Sequence, residues 1–426
     1  MLESIHLKNV GPADEMKMRL ASRLNLVTGD NGLGKTLLLD SMWWALTRTW
    51  PLTWGGNGVV PEKEAAAIEW VEQHDDGAVI TKSIYDFDDA GWKTTEQAPR
   101  ADAHGGGLVV YMRVDGGISV HDPLRTGEGF KRPAGVHTYG RSHSFQFTER
   151  NIWDGLALVE GGKLVAEGLV RDVGRWALES GSAEFEQIAA LIEQLAGEER
   201  FRLTRKLERV YVDDPRDFPV VAGPAGELPI AHAPAGLRRI LGLAYLVVWA
   251  WREHKIAAGL KKRAPTSSLV LLIDEIESHL HPKWQRTILP SLLRALNDEV
   301  KLQVVATTHS PMVLASVEPV FDVKTDKLFL LDLEDNVVAF HEKPWVMQGD
   351  VINWLVSDTF GLQQARSLEA EHAIEAAEAW MRNDTTALPL DLTTKESIHK
   401  ELVRLLPGHD PFWPRWIVRY EKPEGA

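Results

Sequence analysis

The sequence predicts an α/β fold with a central sheet of mixed, largely parallel strands. Three apolar segments support this prediction: residues 24–27, 269–275 and 302–307 are rich in Leu, Val and Ile, and a turn and a helical pattern follow each one. Continuous apolar runs of this length are typical of strands that helices cover on both faces. Around this sheet we expect an antiparallel β subdomain, a helical insertion and a helical C-terminal tail.

The turn after the first of these strands reads GDNGLGKT at residues 29–36. It matches the phosphate-loop pattern G-x-x-x-x-G-K-[ST] at every fixed position and lies between a predicted strand and a predicted helix. Glycines let the backbone N–H groups face an anion, and the helix N-terminus adds partial positive charge. The alternative is a glycine-rich turn that binds no phosphate and contains a lysine by chance. The predicted nucleotide-binding residues here are Gly29, Asp30, Asn31, Gly32, Leu33, Gly34, Lys35, Thr36 and Leu37.

Composition excludes several classes of protein. The 426 residues are 44% apolar and carry a net charge of −14, which argues against a globally basic nucleic-acid binder. The chain has no cysteine, so disulfides and thiolate metal sites are excluded. The most apolar segment, residues 240–251, is short of the roughly twenty residues of a membrane span, so we expect a core helix and no membrane partner. A cytoplasmic location is the expectation, since the first ten residues lack the apolar segment of a signal peptide.

Hydrophobic spacing predicts the remaining elements in order. Residues 2–10 and 16–20 alternate apolar and polar side chains, which indicates two strands before the phosphate loop. Apolar residues at helical spacing predict a mostly helical segment over 183–212. The other predicted elements are a helix over 62–73, strands over 78–84 and 107–114, a turn-rich surface segment over 118–143, a core helix ending near 258, a helix over 283–297, a hairpin over 328–341, and tail helices over 349–360, 365–382 and 395–406.

Two carboxylates end the apolar strand at 269–275. Downstream of a phosphate loop, this is the Walker B arrangement, in which Asp274 would hold magnesium and Glu275 would activate the attacking water. Thr36 would supply a hydroxyl to the same metal ion. The alternative is a pair of carboxylates that cap the next helix.

Two further polar residues stand where they can reach such a site. His309 follows the apolar strand 302–307 and can hydrogen-bond the γ-phosphate and the water, although a lone histidine after a strand is often structural. Gln146, in FQFTERNI, can bind magnesium through its carbonyl oxygen; the alternative is a glutamine at a strand edge. The predicted catalytic residues are Glu275, His309 and Lys35, and the predicted metal ligands are Thr36, Gln146 and Asp274.

These motifs, in this order, resemble those of an ABC-type P-loop ATPase head. The match covers roughly residues 1–50 and 140–345, and its most specific parts are DEIESHLHP at 274–282 and ATTHSP at 306–311. The sequences of these two motifs resemble the SMC-like and OLD-like branch of the family. Within that branch they resemble the stand-alone ATPases of bacterial antiphage systems, the Septu type among them. The resemblance implies ATP and Mg²⁺ as cofactors, an ATP-dependent homodimer or higher oligomer, and a separately encoded effector, a nuclease.

The resemblance also places the signature element at APAGLRR, residues 233–239. In that family a serine and glycines bind the γ-phosphate of the partner subunit's ATP, so Gly236 and Arg238 become predicted ligands. Pro234 stands at the serine position, which removes a hydroxyl and an N–H. The N-terminus of the helix can still offer N–H groups to an anion. His279 and His281 suggest a metal site, but no third ligand is apparent.

The domain map that follows has an ATPase head over 1–345 and a helical C-terminal region over 346–426 that can dock a partner. Within the head we expect an N-terminal lobe over 1–50, a β-rich insertion over 51–140, a helical subdomain over 141–232, and the signature, Walker B and His309 segments over 233–345. Three other functions stay open. A RecF-like DNA-repair ATPase would need a local basic patch, a transporter ATP-binding subunit would need a membrane partner, and a nuclease would need acidic residues that the tail does not display convincingly.

Overall fold

A computed structural model describes residues 1–51, 58–74, 77–96, 107–125, 144–157, 164–197, 200–296, 300–335 and 337–420. The chain divides into two compact units, Met1–Val351 and Ile352–Ala426. The predicted phosphate loop, carboxylates and histidine all lie in the first unit.

Among the described residues, all strands lie in the first unit. Their bounds are β1 Leu2–Lys8, β2 Glu15–Arg19, β3 Leu24–Gly29, β4 Ala67–His74, β5 Gly77–Asp86, β6 Gly91–Glu96, β7 Leu108–Met112, β8 Ile118–His121, β9 Phe145–Phe147, β10 Leu156–Ala157, β11 Leu164–Ala166, β12 Arg202–Arg209, β13 Asp217–Gly223, β14 Gly226–Pro229, β15 Ser268–Ile273, β16 Lys301–Thr307, β17 Asp326–Glu334 and β18 Val337–Lys343.

The α-helices of the described residues are α1 Lys35–Thr47, α2 Glu149–Asp154, α3 Leu169–Leu178, α4 Ala183–Ala196, α5 Ala235–Leu260, α6 Pro282–Gln285, α7 Ile288–Leu296, α8 Pro311–Val317, α9 Val351–Leu355, α10 Leu368–Met381, α11 Lys395–Leu405 and α12 Trp413–Tyr420. None of these helices combines the length and the apolar character that a membrane crossing requires.

The central sheet has eight strands in the order β18-β17-β3-β16-β15-β7-β8-β9. Strands β17, β3, β16, β15 and β7 run parallel, and the antiparallel pairs lie at the two ends. The inner strands β3, β15 and β16 are almost wholly buried, which explains their continuous apolar sequences. The predicted α/β fold with a mixed, largely parallel sheet is therefore confirmed.

A second, antiparallel sheet of five strands, β2-β1-β4-β5-β6, packs on α1 through a shared apolar core. The predicted helix over 62–73 is wrong, because this segment supplies β4. Ile68 and Trp70 point into that core, and β4 is hydrogen-bonded on both sides by β1 and β5. Burial and pairing outweigh the helix propensity of its Ala and Glu residues.

Two other expectations differ from the structure. The helix predicted over 183–212 stops at Ala196, and residues 202–209 form β12, which pairs with β13. The segment 118–143 was expected at the surface, but β8 is buried within the central sheet. Residues 126–143 lie outside the described part of the chain. The predicted tail helix over 349–360 is only α9, and a helix beyond 407 was not expected, yet α12 forms there.

Helix α5 runs through the first unit and is buried along most of its length. Its apolar residues contact α4 and the central sheet, so it is the core helix that its composition predicts. In the second unit α10, α11 and α12 enclose an apolar core that includes Trp416, which is fully buried. The indole N–H of Trp416 donates to Nδ1 of His399 at 3.0 Å.

Candidate functional site

The phosphate loop connects β3, at the centre of the sheet, to α1. Gly29, Gly32 and Gly34 have φ angles of 135°, 80° and 102°, a region of backbone conformation that favours glycine. A Cβ atom on Gly29 would also lie 2.0 Å from the carbonyl oxygen of Leu331. Helix α1 begins without a side-chain cap, so its first N–H groups remain available to an anion. The loop therefore has the backbone form of a phosphate cradle.

Lys35 lies inside this loop rather than in solvent. Its Nζ donates to the carbonyl oxygens of Gly29 at 2.8 Å and Asp30 at 2.7 Å, and the residue is only 6% exposed. Burial lowers the pKa of Lys35, and the nearby carboxylates of Glu275 and Asp274 oppose that shift. The charge of Lys35 is thus held at the centre of the cradle.

Asp274 joins the loop to the neighbouring part of the sheet. One oxygen of its carboxylate accepts a hydrogen bond from the hydroxyl of Thr36 at 2.8 Å, and the other accepts one from the hydroxyl of Thr307 at 2.7 Å. Thr36 lies in the first turn of α1, whereas Asp274 follows β15 and Thr307 ends β16, so three segments far apart in sequence meet at one carboxylate. Parallel strands make this meeting possible because their carboxyl ends share one edge of the sheet.

Glu275 and His309 lie next to each other beside this carboxylate. Oε1 of Glu275 is 3.9 Å from Nε2 of His309, and the two side chains are 36% and 28% exposed, so both can meet water. Glu275 has a φ of 46°, an unfavourable conformation for a non-glycine residue. Its N–H donates to the hydroxyl of Thr307 at 2.8 Å, which holds the strained turn in place.

Sequence reasoning missed three residues that shape the site. Thr307 links Asp274 to Glu275 through one hydroxyl. The carboxylate of Glu277 accepts from the hydroxyl of Thr308 at 2.7 Å and from the N–H of His309 at 2.5 Å. Arg239 donates to the carbonyl oxygens of Asp274 and Glu275, both at 3.2 Å. Thr307 and Glu277 lie within the motifs TTHS and DEIE, but only the folded structure reveals these contacts.

Gln146 lies in β9, at the edge of the central sheet, and is half-buried. Its side-chain nitrogen donates to the carbonyl oxygen of Trp50 at 2.9 Å. This edge position is compatible both with a magnesium ligand and with a glutamine that only lies at a strand edge. The role of Gln146 as a magnesium ligand stays a prediction.

The signature candidate forms the start of α5. Pro234 precedes the helix without a side-chain cap, and Gly236 packs so closely that a Cβ atom would lie 2.3 Å from the ring of Trp284. Arg238 pairs with Glu149 at 3.0 Å, and its guanidinium lies 4.4 Å from the centre of the Trp153 ring. Arg238 is therefore engaged within the chain, and its contact with a nucleotide stays a prediction.

The donor set suits a magnesium ion that arrives with a nucleotide. Within the described residues no group of three or more His, Asp or Glu side chains could hold a metal, so His279 and His281 gain no third ligand. His281 instead caps α6. Thr36 and Asp274 present hard oxygen atoms side by side, and magnesium commonly combines one or two such groups with phosphate oxygens and water. The residues present thus fit Mg²⁺ and the phosphates of ATP.

Comparisons with known proteins agree with this geometry. Residues 132–315 match the family model described as "AAA domain, putative AbiEii toxin, Type IV TA system", and residues 4–58 match a second AAA domain model. Both models describe AAA domains, so these two segments of the chain are similar to AAA domains. The two matches cover the phosphate loop and the segment that carries Asp274, Glu275 and His309.

Short stretches of the chain are similar to two retron ATPases and to a Septu protein. The chain is 30% identical over 95 residues to the Retron Ec83 probable ATPase of Escherichia coli, covering 22% of this chain and 15% of the relative. It is 50% identical over 48 residues to the Retron Vc95 probable ATPase of Vibrio cholerae serotype O1 biovar El Tor, or 11% and 9% of the two chains. It is 32% identical over 102 residues to the Septu protein PtuA of Bacillus thuringiensis, or 23% and 24%.

The matched stretches thus span less than a quarter of each relative's length. Among solved structures, the SMC head domain from Thermotoga maritima aligns with 81% of this chain and 99% of its own, at 14% identity and a TM-score of 0.40. The resemblance to ATPases of the Septu type, inferred from DEIESHLHP and TTHSP, is confirmed as a similarity of sequence.

Proposed function

We propose that the chain binds and hydrolyses ATP in a magnesium-dependent reaction. The observation that carries the proposal is the 2.8 Å hydrogen bond between Thr36 and Asp274, which joins the phosphate loop to the Walker B strand. Around this bond converge a buried lysine, a partly exposed glutamate and a histidine. This combination suits phosphoryl transfer, in which positioning and charge stabilisation supply most of the rate enhancement.

Each residue has a distinct role in the proposal. Lys35 neutralises phosphate charge within the cradle, and Thr36 with Asp274 holds Mg²⁺, which would polarise the phosphate oxygens when bound. Gln146 is a further proposed ligand of the ion. Glu275 accepts a proton from the attacking water, and His309, 3.9 Å away, helps to orient that water.

We further propose that ATP drives two copies of the chain to associate. The start of α5, with Gly236, would meet the phosphates of ATP held by the other copy. The uncapped N–H groups of α5 support this, because they suit an anion. Pro234 offers no hydroxyl and no N–H there, so we expect association to be weaker than a serine would allow.

The role that we propose for this association is the control of a partner effector in bacterial antiphage defence. Its support is the similarity to retron ATPases and Septu PtuA. The proposed effector is a separately encoded nuclease, and the C-terminal region over 346–426 is the proposed docking segment. Exposed apolar side chains on that region, Leu368 and Leu390 among them, are consistent with a docking role.

A second candidate function is that of a RecF-like ATPase that binds DNA. One observation favours it: Lys261, Lys262 and Arg263 are consecutive and exposed just after α5. The net charge of −14 opposes it. Binding of a 30-base-pair duplex that weakens steeply between 50 and 200 mM salt, and that a triple alanine substitution of these residues removes, would favour this candidate.

The primary test measures ATP hydrolysis and molecular mass of the wild type, Lys35→Ala and Glu275→Gln, with and without ATP and Mg²⁺. Lys35→Ala should lose nucleotide binding, whereas Glu275→Gln should bind ATP, hydrolyse it at least about 100-fold more slowly and accumulate as a dimer. Asp14→Ala, at an exposed ion pair with Lys63, is the matched control and should behave as wild type. Normal hydrolysis by Glu275→Gln would refute the assignment of the base.

A further inference from the structure

A half-buried arginine with two buried, unmatched hydrogen-bond donors lies behind the Walker B turn. Arg239 is in the second turn of α5, and its Nη2 donates to two consecutive carbonyl oxygens, those of Asp274 and Glu275. Its Nε and Nη1 are buried and have no hydrogen-bond partner among the described residues. A buried donor without a partner is destabilising, so a side chain serving stability alone would be expected to have its donors matched.

The charges around Arg239 explain why the guanidinium stays there. Burial lowers the pKa of Arg239, and the carboxylates of Asp274, Glu277, Glu275 and Asp115 oppose that shift. The guanidinium therefore balances a group of acidic side chains on one side of the site.

The two carbonyls that Arg239 contacts flank the nitrogen of Glu275. Its φ of 46° needs support from outside the residue itself, because this conformation is unfavourable for a residue with a side chain. Thr307 holds the N–H of Glu275 from the side of β16, and the carbonyl of Glu275 also accepts from the N–H of Ser278 at 2.8 Å. Arg239 supplies the contact from the side of α5, so the peptide group is held from two directions.

We infer that Arg239 is a positioning residue for Glu275: its two carbonyl contacts hold the Walker B turn in the conformation that directs the glutamate carboxylate toward His309. This inference rests on the proposed ATPase function and adds to it a role for Arg239, which ends the signature segment 233–239 but is not one of its predicted ligands. Among the described residues, Arg239 makes no hydrogen bond or ion pair to the phosphate loop or to Thr36, so its loss should leave the binding of ATP nearly unchanged.

The test compares Arg239→Met with wild type and with Arg252→Met, a control on the same helix whose arginine pairs with Glu184 and Glu253. Methionine keeps most of the apolar volume and removes the unmatched donors. We expect kcat to fall about 30- to 100-fold, the effect of misplacing a reacting group by about 1 Å, with KM for ATP within about twofold of wild type. The midpoint of thermal unfolding should not fall by more than about 3 °C.

A structural role predicts the opposite pattern, in which the unfolding midpoint falls and kcat of the remaining folded protein stays near wild type. That result would overturn the inference. So would a kcat of Arg239→Met equal to that of a wild type that hydrolyses ATP. Hydrogen exchange of the peptide covering 274–280 is the second measurement, because it does not depend on hydrolysis. Arg239→Met should speed its exchange at least about tenfold. If the wild type does not hydrolyse ATP, the proposed function fails, and unchanged exchange then refutes the positioning role separately.

Discussion

Thr307→Val isolates the hydroxyl that connects the two carboxylate residues of the site. Valine has nearly the same shape as threonine, so the substitution leaves no cavity at a position that is fully buried. It removes a hydrogen bond to the charged Asp274, with a contribution of about 1.5–3 kcal/mol, and leaves the N–H of Glu275 without its acceptor, which costs about 1–3 kcal/mol. The added apolar methyl offsets roughly 1 kcal/mol. We therefore expect a net loss of about 1.5–5 kcal/mol.

The assay is urea unfolding followed by hydrogen exchange of peptides from β15 and β16, so that the first unit is observed by itself. Thr307→Ser is the matched control: it keeps the hydroxyl, loses one methyl group and should lose only about 0.5–1.5 kcal/mol. The reasoning is refuted if Thr307→Val is as stable as Thr307→Ser. In the valine variant we also expect kcat for ATP to fall about tenfold or more, because Asp274 and Glu275 lose their common anchor.

Three further predictions follow from contacts of the structure. Glu277→Gln keeps the size of the side chain but cannot accept the hydrogen bonds from Thr308 and His309 as strongly, so kcat should fall about tenfold while KM for ATP stays near wild type. Equal kcat values would show that these two hydrogen bonds do not position His309 for hydrolysis. Burial lowers the pKa of Lys35 in the folded state, so the unfolded state binds more protons and stability should rise with pH towards 10.5; a Lys35→Met variant should lack this rise in urea unfolding without nucleotide. The hydrogen bond from Arg366 lowers the pKa of Asp410 below its ordinary value of 3.8, so the pair stabilises the second unit above pH 3.8 and this contribution is lost as the pH falls through the lowered pKa. Arg366→Met should speed hydrogen exchange of the second unit at pH 7, and its difference from wild type should shrink as the pH is lowered below 3.8, after correction for intrinsic rates.

Local sequence predicted the parts of the site that lie within one segment. The pattern at 29–36 predicted the cradle because glycine is required where φ is positive, and the structure has such angles at Gly29, Gly32 and Gly34. Apolar runs ending in polar residues predicted β15 and β16, because a strand buried on both faces has no polar positions until it leaves the sheet. The roles of the site residues themselves stay predictions until the variants are measured.

Local sequence failed where pairing decided the conformation. Residues 67–74 contain Glu, Ala and Gln, which favour helix, yet β1 and β5 pair with them on either side. The same holds for β12, whose charged sequence resembles a helix surface but pairs with β13. Hydrogen bonds between strands that are distant in sequence cannot be predicted from a short stretch of residues. Where such bonds form, they outweigh the local helix propensity.

The amino-acid sequence by itself determined the chemistry available to this protein: a glycine-rich loop with a lysine, two acidic residues after a buried strand, and a histidine after another. Each depends on residue types within a few positions, where backbone sterics and hydrophobic burial act locally. Only the tertiary structure decided that the hydroxyls of Thr36 and Thr307 share one carboxylate, and that Arg239 holds the turn of Glu275. Thr307 lies 33 positions from Asp274 in the sequence, and Thr36 lies 238 positions from it. They exist because parallel strands bring their carboxyl ends to one edge of the sheet.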